Sequence, residues 1–497
     1  MNWLAILNFR YLPQRRVPEK PDEKMPKELN NDSEGKDWVM RYEAMLRNQQ
    51  SDFLDLDAYE YIIYHYVNRN EPTKAKAACE QAMETYPYSS ELLLDYAHVL
   101  ATCGENKIAM EVLQKAETFF PYDIDLVVLK CTLMNHEGRH KDVIHYLTEL
   151  EPIVEEKEKL YHALASTFFL MGLTEDALKW FKKSLEINPS SMECLEEYVI
   201  CLGQEERLEE SLDVYKKALD DDPFDPLIWL SYANVLNTIE QFDEAFAAIE
   251  YCLVLEEKMH IAHFQKGNIL MNLERFTDAA TTFLEAIALN DKQAEYYVGV
   301  GAAMEAQDKF DQAIHYFRKS IKINQEQDDA YYGIGACLLE MEKYSESIHF
   351  FNKAIQYDGE NPAYWISKAV AEYNLGNIVS AEVAFEKVYE LDPENIALWL
   401  DWSHIYFEQG HYDKAINMVK EGIALMPDEA LLYYRAAAYH FSSGTYQEAM
   451  QYLENGIILD YDSHAVLYDF FEDIKTQKTL YRIIQELKSK GTPSNEL

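Results

Sequence analysis

Glycine and proline are scarce, at 17 and 15 of 497 residues, each about 3% where about 7% and 5% are usual. That shortage argues against a turn-rich β-sandwich, a collagen-like chain or a long disordered protein. Cysteine offers no framework either. The seven residues Cys79, Cys103, Cys131, Cys194, Cys201, Cys252 and Cys337 are odd in number and form no CxxC pair, so neither a disulfide scaffold nor a zinc knuckle is expected. No stretch approaches the ~18 apolar residues of a membrane helix. The short apolar run at 3–7 lacks the basic flank and cleavage site of a secretory signal. Cations are also few, 45 Lys+Arg against 87 Asp+Glu for a net charge of −42. A field of that sign repels phosphate backbones and anionic bilayers, so neither nucleic acid nor a membrane is an expected partner. These absences together lead to the expectation of a soluble, cytoplasmic protein.

Motifs for chemistry are missing as well. There is no P-loop, no GxGxxG and no GxSxG. The histidines His136, His140 and His145, and the pair His260 and His263, come without HExxH or a Cys/His cluster and read as polar turn and helix residues rather than ligands. In so acidic a chain, paired carboxylates carry no information, and Asp220, Asp221 and Asp222 before Pro223 read as a solvated turn. The expectation is no catalytic residue, no metal and no cofactor.

What is present is hydrophobic material, 48% of the residues, and a period. Residues 1–35 carry Pro13, Pro18, Pro21 and Pro26 among basic residues and are expected to be disordered. Met25, followed by Pro26, is an alternative start. Over 36–55, Trp38, Tyr42 and Met45 share one helical face and predict a lead helix. From Leu56 the sequence repeats every 34 residues, twelve times without insertion or deletion, to Ser463. The twentieth place is Ala in nine of twelve units (Ala75, Ala109, Ala177, Ala245, Ala279, Ala313, Ala381, Ala415, Ala449). The eighth is small in nine, among them Ala97, Gly267, Gly301, Gly335 and Ala437. Aromatics stand at the fourth place (Tyr59, Trp229, Tyr297, Trp365) and the twenty-fourth (Phe181, Phe283, Phe317, Phe351), with Pro87, Pro121, Pro189, Pro223, Pro393 and Pro427 near the close. The unit at 124–157 is the most degenerate, with Lys130, Cys131 and Val143 at places that want apolar or small residues, and is where local opening is expected. Residues 464–497 continue the register without the small residues, as a capping helix and tail would.

These places resemble the tetratricopeptide repeat (TPR). The resemblance implies an all-α, right-handed helical-hairpin solenoid, each unit two antiparallel helices packed where small residues meet large ones. It also implies a concave groove lined by the second, fifth, ninth, twelfth and thirteenth places of each first helix. At the fifth place no lysine occurs, so the cationic clamp that relatives use on chaperone C-terminal carboxylates is absent, and such tails are disfavoured as partners. The last seven fifth-place residues, beginning Leu230, Phe264, Val298 and Tyr332, are all apolar or aromatic. They form either an apolar ridge for a partner or filling between adjacent first helices. The ninth place holds Asn234 and Asn268, with Asn237 and Asn272 nearby. They form a short asparagine ladder for a peptide backbone, or else two solvated amides.

Residues 1–55 are nearly balanced, 9 Lys+Arg against 10 Asp+Glu, which leaves 36 against 77 on the remainder, so the acid lies on the repeats. The resulting expectation is a non-catalytic scaffold or adaptor that binds protein or peptide segments, basic or apolar, around Leu230, Asn234, Asn237, Phe264, Asn268, Asn272, Val298 and Tyr332. A self-associating structural solenoid and a regulatory subunit holding an enzyme in trans are the alternatives.

Overall fold

The computed structural model describes residues 32–48, 53–471 and 474–491. Met25, nearly all of the segment expected to be disordered and the tail at 492–497 lie outside these. Every regular element among the described residues is helical. The lead helix, Asp32–Asn48, starts four residues before the expected boundary and lays Tyr42 against Tyr59 and Tyr66, at ring separations of 6.4 and 6.3 Å.

First helices begin at the first place of the 34-residue period from Leu56–Asn68 to Ala430–Ser442, with Lys157–Leu170 opening one residue early. Second helices begin at the seventeenth place, from Pro72–Thr85 to Tyr446–Leu459; in the fifth repeat a 3-10 turn, Leu208–Ser211, leads into Leu212–Asp221. The boundaries have local causes. Asp55, Ser89 and Asp123 cap the first helices of repeats 1–3 by accepting the backbone N–H of Ala58, Leu92 and Leu126, which satisfies donors that have no partner inside the helix. Each first helix stops two or three residues before the fifteenth place, where all twelve residues have positive φ: Gly in six repeats and Asn70, Glu206, Glu240, Glu274, Asp308 and Glu342 in the others. The bond from Gln241 N–H to the Leu236 carbonyl, 2.9 Å, is typical of this turn and closes the helix end in a Schellman motif.

The chain divides into two compact units, Met1–Glu257 and Lys258–Leu497. In the first, a core around Phe181, Tyr198 and Tyr215 follows a smaller one around Val143 and Leu147. The degenerate repeat belongs here, and its odd residues are accommodated. Cys131 and Val143 are buried. Lys130 pairs with Glu117 of the preceding repeat at 2.6 Å and lies 4.4 Å from the Tyr146 ring, whose hydroxyl donates to Glu117 at 2.7 Å.

In the second unit the eighth-place glycines explain themselves. A Cβ on Gly301 would meet the Phe317 ring at 2.5 Å, and one on Gly333, in the next repeat, would meet the same ring at 2.3 Å. Phe283 lies likewise between Gly267 and Gly299. The twenty-fourth-place ring thus occupies space that two glycines vacate, one on its own first helix and one on the next. The unit's last core joins Trp399, Tyr434 and Tyr439 to Leu467 and to Ile484 of the C-terminal helix Ile474–Gly491.

Candidate functional site

In the N-terminal unit, the helix Pro226–Thr238 carries Leu230, Asn234 and Asn237. Leu230 and Asn234 are half-buried, while Asn237 retains only 5% of its surface. These three residues follow at spacings of four and three, on the one face fixed by a period of 3.6 residues.

In the C-terminal unit, His260–Asn272 carries Phe264, Asn268 and Asn272. Phe264 is only 5% exposed, because its ring stacks on Tyr296 of the next repeat (4.8 Å, 28°) and leans on Phe283 of its own (5.6 Å). Asn268 is 4% exposed and its amide donates to Gln265 Oε1 at 3.2 Å, a bond within one helix. Asn272 is half-buried. Val298, on Ala294–Glu305, is half-buried against the core of Ala313 and Phe317. Tyr332, on Asp328–Glu340, repeats the pattern of Phe264. It stacks on Tyr364 of the next repeat (5.0 Å, 28°), leans on Phe351 of its own (5.6 Å) and shares a 3.0 Å hydrogen bond with Ser367 Oγ.

At the fifth place, Phe264 and Tyr332 fill space between successive first helices. Phe264, Ile366 and Tyr434 are buried, which interrupts any apolar ridge. The residues of this set that are half-buried rather than buried are Leu230, Asn234, Asn272, Val298 and Tyr332.

Sequence reasoning missed a carboxyl beside Tyr332. Burial, and then the like charge of Glu340, push the Glu305 carboxyl up to about 7. The same environment raises the Tyr332 phenol, first through burial and then through Glu305. Glu305 and Glu340 are 35 residues apart at the twelfth and thirteenth places of adjacent repeats, and in a chain with 87 acids nothing in the sequence marks them.

Three of the histidines considered above have separate partners. His140 Nδ1 lies 3.0 Å from Asn135 Oδ1, His260 Nδ1 2.6 Å from the Tyr296 hydroxyl, and His263 Nδ1 3.2 Å from Glu285. Among the described residues no group of three or more His, Cys, Asp or Glu is placed to hold a metal, and no helix is long and apolar enough to cross a membrane.

Profiles of the tetratricopeptide repeat match residues 14–221, 264–328, 305–371 and 374–439. No curated protein matches the sequence. Among solved structures, the chain is similar to the APC/C hetero-tetramer Cut9–Hcn1, with 12% identity over 90% of this chain and 98% of that one and a TM-score of 0.42. It is similar to yeast Tom70 at 15% identity, 78% and 96% coverage and a TM-score of 0.43. YrrB, described as a TPR protein with an unusual peptide-binding site, is similar at 18% identity, 37% and 95% coverage and a TM-score of 0.29.

Proposed function

The chain belongs to the tetratricopeptide-repeat family, and we propose that it acts as a non-catalytic scaffold that binds segments of partner proteins along its first helices. The carrying observation is the array itself. Within each unit successive hairpins keep one register, so each first helix presents equivalent places to a ligand, while each repeat buries its own small and aromatic places.

Contact falls to the members of the candidate set that retain surface. In the N-terminal unit Asn234 offers donor and acceptor to a peptide backbone and Leu230 offers apolar area; in the C-terminal unit Asn272 does the first and Val298 and Tyr332 the second. Each amide bond would contribute about 0.5–1.5 kcal/mol, so apolar contact must supplement them. Phe264, Asn268 and Asn237 support the surface from beneath. The carboxyls of Glu305 and Glu340 favour a partner segment with a lysine or arginine, which would neutralise a charge that burial disfavours. The cysteines, seven and so odd in number, with six of them buried, support a reducing, cytoplasmic setting.

The test is affinity capture from cytosol with wild type and with Asn272→Ala/Glu305→Gln/Glu340→Gln in the C-terminal unit, which leaves Phe264 and Asn268 in place. Partner recovery is expected to fall about tenfold, the equivalent of ~1.4 kcal/mol, with helicity unchanged. Equal recovery by both proteins would remove the binding surface from this face.

A further inference from the structure

The segment that follows the last repeat lies on the chain's own first helices. The 3-10 segment Asp462–Phe470 follows the last repeat and turns back over it. Its Leu467 is fully buried and, with Leu480 and Ile484 of the C-terminal helix, covers the last apolar face. That is what capping requires. Phe470 goes beyond it. Its ring meets Tyr439 of repeat 12 at 5.8 Å, and Phe407 and His404 of repeat 11 at 5.5 and 5.9 Å, all edge-on, with interplanar angles of 77–89°.

Phe407 and Tyr439 stack on each other at 4.7 Å and 17°, making a two-ring floor across adjacent repeats. Arg435 lies over the Phe470 ring with its guanidinium carbon 4.8 Å from the centroid. Phe471 follows at 6.4 Å from Phe441. Edge-to-face rings with a cation over one of them are a specific aromatic recognition geometry.

All these partners stand on Ile396–Glu408 and Ala430–Ser442, the first helices of the last two repeats. His404 occupies the ninth place, as Asn234 and Asn268 do, and Phe407 and Phe441 the twelfth, as Asn237 does. The carbonyls of Tyr468 and Phe471 are taken up by Gln477 Nε2 of the chain's own C-terminal helix, at 3.3 and 2.8 Å. The segment is thus tied to its own helix by polar bonds, while Phe470 and Phe471 engage the repeats through their rings. Phe470 remains half-buried, as a displaceable contact would.

We propose that the first helices of repeats 11 and 12 form a recognition site for a phenylalanine-bearing segment of a partner protein, and that Phe470 and Phe471 occupy this site in cis until displaced. The proposal rests on the scaffold reading only in taking the repeats to bind protein segments; its residues are separate from those at 230–340. A plug that fills a site nine-tenths of the time lowers the apparent affinity of a competitor about tenfold.

The probe is a labelled peptide with the sequence of residues 462–471, DSHAVLYDFF, titrated into the full-length chain. Phe470→Ala/Phe471→Ala is expected to bind it about tenfold more tightly than wild type. Adding Arg435→Gln should weaken that binding severalfold, and the peptide with both phenylalanines replaced by alanine should not bind. In wild type, excess peptide should speed amide exchange across 462–471 and leave Tyr446–Leu459 unchanged. Equal affinity of wild type and the double variant, or no change in that exchange, overturns the proposal. Loss of folded repeats in the double variant would make the segment a structural cap alone. Concentration-dependent dimerisation of wild type that the double variant loses would assign the site to a second copy and overturn a foreign partner. None of these results depends on the capture experiment, so the two readings can fail separately.

Discussion

The fifteenth place shows how much a single residue is asked to do. It must adopt positive φ to reverse the chain between helices, a conformation glycine enters freely and a residue with a Cβ enters at a cost of roughly 1–2 kcal/mol. Five consecutive repeats meet this demand with acids, Glu206, Glu240, Glu274, Asp308 and Glu342, with φ of 56–64°. Replacement by glycine relieves the strain but enlarges the unfolded ensemble, which takes back about 0.4–1 kcal/mol. Glu240→Gly is therefore expected to stabilise its hairpin by about 0.5–1 kcal/mol, read as slower amide exchange in Phe242–Leu255. The reverse change, Gly172→Glu, should accelerate exchange in Thr174–Ile187. A glycine variant that exchanges faster would show that the acid gains something from its place that outweighs the backbone.

Between elements, packing is complementary in volume, and one charge replaces an apolar contact. Lys130 stands where the period wants an apolar residue, yet it is only 17% exposed in its side chain and joins Glu117 to the Tyr146 ring. Burial works against the Glu117 carboxylate, but the hydrogen bonds from Lys130 and Tyr146 prevail and hold it below the usual carboxylate range. Because the folded value is depressed, this contribution is fully present above the unfolded value of about 4.3 and is lost as pH falls through the folded one. Lys130→Met, which strands the carboxylate, is expected to cost about 1–2 kcal/mol at pH 7, short of the 3–5 of a fully buried pair because Glu117 keeps some solvent. Thermal melts at pH 7 and pH 3.5 check this: the gap between wild type and variant should shrink in acid. A gap independent of pH would mean that the lysine acts through its methylene stem alone.

For the whole molecule, charge matters more than any one contact. A balance of −42 leaves acids repelling one another, and the repulsion is screened over a Debye length of ~10 Å at 0.1 M salt. Raising sodium chloride from about 0.02 M to 0.5 M is therefore expected to raise the melting temperature, each kcal/mol of relief appearing as roughly 2–4 °C for units of this size. Calorimetry decides. A fall instead would show that ion pairs between repeats, such as Lys76–Glu105 at 2.7 Å and Arg207–Glu175 at 2.5 Å, outweigh the general repulsion. The same field would speed the approach of a basic partner and slow that of an acidic one, most of all at low salt.

The sequence by itself determined the repeat. Small residues at the eighth and twentieth places and aromatics at the twenty-fourth recur every 34 residues because the contacts they make, Phe317 with Gly301 and Gly333 for instance, join one hairpin to itself and to the next. A contact that recurs leaves a periodic trace, so helix class, register and hairpin architecture were legible. The fate of individual places was not. Phe264 and Asn268 share places with half-buried residues, yet both are buried, because exposure at a place depends on the neighbouring side chains: Tyr296 and Phe283 cover Phe264. Glu305 lacks any mark that separates it from other acids until Glu340 is set beside it. The contact of Phe470 with His404 spans 66 residues and occurs once. Contacts made once leave no period to read, and only the tertiary structure decided them, by bringing together side chains whose sizes and charges the repeat does not constrain.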